Sequence, residues 1–137
     1  MSHGDFAQFA SFARSFGYKR MRAMFATNSI KLVRASGSSR APYIWIDPPW
    51  ELWSDQTLVA SSFSYPDPHR VVHWYMERNW FKAVRSFQAA MPHLLSVSYR
   101  PYGSTRFKFA RGWVIESLDS HTPPDQDWYQ DWYARGT

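Results

Sequence analysis

The spacing of hydrophobic positions changes several times along the chain, and each change marks an element. Phe6, Phe9, Ala13 and Phe16 recur three and four apart, behind Ser2-x-x-Asp5, which resembles a capping box. This spacing predicts a helix over about 4–16, with Gly17 as its C′ residue. From Tyr18 the period falls to two. Met21, Ala23 and Phe25 alternate with Arg20, Arg22 and Met24, and Ile30 and Leu32 alternate with Lys31 and Val33 across Thr27-Asn28. That pattern predicts a β-hairpin with one dry face and one basic, wet face. A short strand at Pro42–Ile46 must end at Pro48-Pro49, which have no amide hydrogens to donate. Gln56–Tyr65 is the next strand expected, interrupted by serines.

Asp67-Pro68 opens a helix, as a cap residue followed by proline at the first helical position. Val72, Met76, Trp80, Ala83, Phe87 and Met91 then follow at helical spacing up to Pro92, which predicts a helix over about 68–90. Three strand-like segments come next, Leu94–Arg100, Thr105–Ala110 and Trp113–Leu118. They are separated by Pro101–Ser104 and Arg111-Gly112, as in an antiparallel meander. Strands gathered between helices indicate an α+β fold. The expectation is a single domain over 1–122, in which a mainly antiparallel, curved sheet packs against an N-terminal helix and one long central helix. An acidic aromatic tail at 123–137 is expected to dock on it. The order of elements resembles the ketosteroid-isomerase-like cone, a curved sheet wrapped around a helix. That resemblance implies a cone-shaped domain that binds a small molecule or acts on one.

The chain has 137 residues, 45% of them hydrophobic, enough for a core. It has no cysteine, which removes disulfides, thiolate nucleophiles and Cys-based zinc sites. Met1-Ser2-His3-Gly4-Asp5 does not open a signal peptide, and no apolar run is long enough to cross a bilayer, so a cytoplasmic protein without membrane contact is expected. The net charge of +5 is uneven. Residues 1–46 carry seven Lys/Arg against Asp5, and residues 119–137 carry four Asp against Arg135. A basic front and an acidic end suit a polyanionic partner, or one another in a homodimer.

Asp47-Pro48-Pro49-Trp50 follows the apolar run Tyr43–Ile46 and resembles the Asp-Pro-Pro-aromatic motif of amino-methyltransferases acting on adenine or cytosine. The resemblance implies that Asp47 would accept from the target amine and Trp50 would stack on a flipped base. The chain lacks that family's Gly-rich turn, and the alternative reading is a Pro-Pro corner ending a strand. His69, His73 and Glu77 fall four apart on the long helix and form a weak candidate metal set; they lack the His-Glu-x-x-His spacing, and no cofactor is expected. No Gly-x-Ser-x-Gly elbow or phosphate-binding loop is present.

Lys19, Arg20, Arg22, Lys31 and Arg34 on the hairpin, with Arg106 and Lys108 on the meander, are the candidate contacts for an anion or nucleic acid. Trp50, Trp53, Trp128, Tyr129, Trp132 and Tyr133 are candidates for an interaction surface, because Trp and Tyr are enriched at binding hot spots. The residue content therefore favours a small binding or interaction protein without catalysis. The partner would be a second copy, another protein or a nucleic acid.

Overall fold

The computed structural model describes Arg14 and residues 19–26, 28–37, 43–64, 74–99 and 104–118, with side chains for all of these except 74–77 and 99. The helix expected over about 4–16 (Arg14 apart), the start of the one expected from 68, and the tail at 123–137 lie outside the described residues.

Alternation in the first hairpin gives β1 (Met21–Ala26) and β2 (Ser29–Arg34), and the apolar run before the prolines gives β3 (Tyr43–Ile46). Met21 and Ala23 point inward while Arg22 and Met24 face out, so the hydrophobic period fixes which face is dry. The expectation of one strand over Gln56–Tyr65 is corrected. The strand forms but is shorter, as β5 (Thr57–Ser61) followed by a 3₁₀ turn at Ser62–Ser64, and a strand that was not expected, β4 (Trp50–Ser54), precedes it. Trp50 and Leu52 are buried and Glu51 and Trp53 face outward, so β4 carries the alternation expected of a half-buried strand. The hairpin turns at Asp55-Gln56, both at positive φ, as a two-residue type I′ loop requires. The meander appears as β6 (Leu94–Tyr99), β7 (Thr105–Phe109) and β8 (Trp113–Ser117). The helix α1 (Trp74–Ala90) has 17 residues.

Among the described residues all strand pairings are antiparallel, in a three-stranded sheet β1-β2-β3 and a five-stranded sheet β5-β4-β8-β7-β6. The two sheets meet twice. β3 runs into β4 through Asp47–Pro49, with a cis Pro48–Pro49 bond. Leu118 N donates to Pro49 O (2.8 Å), which carries the β4–β8 ladder onto this corner. On the other side Met21 N donates to Pro92 O (3.0 Å) and Leu94 N to Lys19 O (3.1 Å), around a bridge between Arg20 and His93. Backbone pairing therefore runs from β3 through β2 and β1 into β6, β7, β8 and β4.

The inner faces share one core with α1. Ile30, Leu32, Ile44 and Ile46 come from the first sheet, Leu52, Phe107, Phe109 and Ile115 from the second, and Trp80, Val84 and Phe87 from the helix. Phe87 meets Phe109 and Trp113 edge-on, each with ring centroids 5.2 Å apart. Such pairs contribute about 0.5–1.5 kcal/mol beyond their buried area. Trp80 and Trp50 are buried with their indole N–H groups satisfied, donating to Ser61 O (3.0 Å) and Asn28 O (2.8 Å). Arg20 completes the helix: its guanidinium donates to Met91 O and Ala90 O, where carbonyls lack intrahelical partners. No helix among the described residues is long and apolar enough to cross a membrane.

Candidate ligand site on the outer face of the five-stranded sheet

Because the inner faces of both sheets enter one core, their outer faces point away from each other. The outer face of the five-stranded sheet carries two rows that mix charged, aromatic and aliphatic side chains. Its register places Leu58, Trp53, Val114, Lys108 and Ser96 in one row across β5, β4, β8, β7 and β6. The adjacent row is Ser61, Glu51, Glu116, Arg106 and Ser98. Directly opposed residues on neighbouring strands lie close enough for their side chains to touch.

Over these rows lies a hollow of about 540 Å³, lined by Trp53, Asp55, Gln56, Arg106, Lys108, Gly112 and Val114. Trp53 and Val114 supply flat and aliphatic surface, and Lys108 is an exposed cation beside them. Arg106 donates from Nε (3.3 Å) and Nη2 (3.1 Å) to Glu116 Oε2. The Glu116 side chain is only 9% exposed and that of Arg106 is 40% exposed, so a mostly buried carboxylate holds a half-exposed guanidinium. Trp53 Nε1 donates to Glu51 Oε1 (3.2 Å), which orients the indole along β4 toward the adjacent row.

Two turns form the lip. The Asp55-Gln56 loop and the loop ending in Arg111 and Gly112 (φ 63° and 80°) touch through Asp55 N, which donates to Gly112 O (3.1 Å). A Cβ at Gly112 would overlap the Asp55 carboxylate. Glycine thus serves here both for its positive φ and for its lack of a side chain.

The candidate residues read from the sequence are spread over different places. Arg106, Lys108 and Trp53 come together in the hollow. Arg22 and Lys31 lie on the outer face of the other sheet, with Lys31 Nζ 4.3 Å from the centre of the Tyr43 ring. Arg20 is engaged at the end of α1, Lys19 is exposed beside it, and Arg34 is half-buried at the end of β2. Trp50, expected on an interaction surface, is instead fully buried, because the pleat of β4 turns positions 50 and 52 inward. That burial also removes the base-stacking role implied by Asp47-Pro48-Pro49-Trp50. Asp47 Oδ1 accepts from Ser29 Oγ (2.8 Å) and Trp45 Nε1 (2.7 Å), so the motif ties together the corner between the sheets.

The side chains of His69, His73 and Glu77, and residues Trp128, Tyr129, Trp132 and Tyr133, lie outside those described. Among the described residues no group of three His, Asp or Glu is placed to hold a metal. Sequence reading missed Glu51, Asp55, Gln56, Val114 and Glu116. Folding the meander about Arg111-Gly112 sets Arg106 opposite Glu116, so that pair was available from turn and register alone. No protein-family model matches the chain, and comparison with curated proteins and with solved structures finds no match.

Proposed function

We propose that the protein is a small binding domain that takes a flat ligand bearing negative charge on the outer face of its five-stranded sheet. The flat part lies against Trp53 and Val114, and the negative group meets Lys108. The observation that carries this reading is the open hollow in which an indole, an aliphatic floor and an exposed cation stand side by side. Stacking of a ring on an aromatic side chain contributes about 1–3 kcal/mol, and a charge contact in a half-wet site adds a smaller amount. Weak binding, with dissociation constants of roughly 1 mM or above, is therefore expected for a minimal ligand. Glu51 and Glu116 already bind Trp53 and Arg106, which suits holding a surface more than moving protons.

A mononucleotide is the simplest probe that joins a planar ring to an anion. Titrating adenosine 5′-monophosphate into the wild type, Trp53→Ala and Lys108→Gln, followed by amide chemical shifts, tests the reading. Trp53→Ala should weaken binding at least tenfold, and Lys108→Gln by about threefold. Equal affinity in all three proteins would reject the site.

Nucleic-acid binding along a continuous basic surface is the second reading, and the charge placement favours it less. The face with the hollow carries Arg106 and Lys108 against Glu51, Asp55 and Glu116. A single-stranded oligonucleotide whose affinity falls steeply with salt would support this second reading over the first.

A further inference from the structure

Resting on the ligand reading above, we infer that Glu116 sets the charge the hollow accepts, so that the site takes a singly negative group and gains nothing from a second negative charge. Arg106 and Lys108 stand two positions apart on β7 and face outward together. Left free, such a pair would form a dicationic clamp of the kind that favours a phosphate dianion. Here Arg106 spends Nε–H and an Nη2–H on one oxygen of Glu116.

The carboxylate is mostly withdrawn from water, so solvent screens its field at Arg106 weakly. Arg106 keeps N–H donors for a ligand, but its charge is already balanced. Glu51, directly opposite Glu116, and Asp55 at the lip add further repulsion toward a second negative charge. Lys108 is then the cation of the hollow whose charge no described carboxylate partner balances.

Glu116 does not reach the ligand in this scheme. It is a specificity-determining residue acting through Arg106, and its test has to separate charge from folding. The probes are adenosine 5′-monophosphate, which carries about two negative charges at pH 8, and its O-methyl phosphate ester, which carries about one. Both present the same ring and the same sugar, so their affinity ratio isolates the second charge.

In the wild type the two affinities should agree within about twofold. In Glu116→Gln, which keeps the shape and can still accept from Arg106, the dianion should bind about fivefold more tightly than the ester. Wild-type preference for the dianion by fivefold or more would overturn the inference, even if the variant failed to fold. An unchanged ratio in a folded Glu116→Gln protein would overturn it as well. A different outcome, in which neither probe binds the wild type or Trp53→Ala binds both unchanged, would reject the underlying ligand site itself.

Discussion

At the scale of single residues, the lip of the hollow depends on an absent side chain. Gly112 sits at φ 80° directly under the Asp55 carboxylate, while Asp55 N bonds to the Gly112 carbonyl. Gly112→Ala has to accept a strained backbone and turn the exposed Asp55 carboxylate aside, so it should lower stability by about 1–2 kcal/mol in urea unfolding. A loss under about 0.5 kcal/mol would show that the two turns do not depend on each other. Ser117 presents the opposite case. Its Oγ is buried without a hydrogen-bond partner among the described residues, on a residue 1% exposed. Removing an unsatisfied buried polar group takes away its desolvation cost, so Ser117→Ala should raise stability by about 1 kcal/mol, read as a higher urea midpoint at constant m-value.

At the scale of elements, β4 is the strand that joins the core to the site. Its inward residues Trp50 and Leu52 fill the core while Glu51 and Trp53 build the outer rows. Trp50 ties β4 to the turn between β1 and β2 through the bond from its indole to Asn28 O. Trp50→Phe keeps an aromatic ring but leaves that carbonyl without its donor. A loss of about 1–3 kcal/mol is expected, with β1–β2 amides exchanging faster than those of β7 and β8. Uniform change across all strands would contradict the link.

The same strand marks where sequence reading ran out. Period-two alternation located β1 and β2, and the turn residues at Pro101–Ser104 and Arg111-Gly112 divided the meander into its three strands. β4 has the same alternation, but it starts directly after Pro48-Pro49, and prolines signal an end more strongly than Trp-Glu-Leu-Trp signals a start. Its hairpin turns through Asp55-Gln56 without a glycine, so the usual punctuation was missing. Trp50 and Trp53 are three apart, and only the pleat decides that one is core and the other is site.

At the scale of the whole molecule, the charge of +5 does not gather into one basic surface among the described residues. Closing two sheets around one core sends the hairpin cations and the meander cations to opposite outer faces, and local partners take several of them. Arg20 serves the end of α1, Lys31 lies over Tyr43, and Arg106 is held by Glu116. Composition reports the sum of charges and not their placement, which is why the sequence suggested a polyanion more readily than the folded chain does. What the fold does concentrate is one indole, one aliphatic floor and one available cation, all within a few strands of each other.

The most direct test of this account is to map, residue by residue, where a flat anion touches the protein. In a two-dimensional amide and indole spectrum titrated with adenosine 5′-monophosphate, the Trp53 indole and the amides of Lys108, Gly112 and Val114 should move together and saturate with one dissociation constant. The amides of Arg22, Lys31 and Tyr43 on the opposite face should stay in place. Saturable shifts centred on β1–β3, or none at all near Trp53, would contradict the claim that the outer face of the five-stranded sheet is the binding surface.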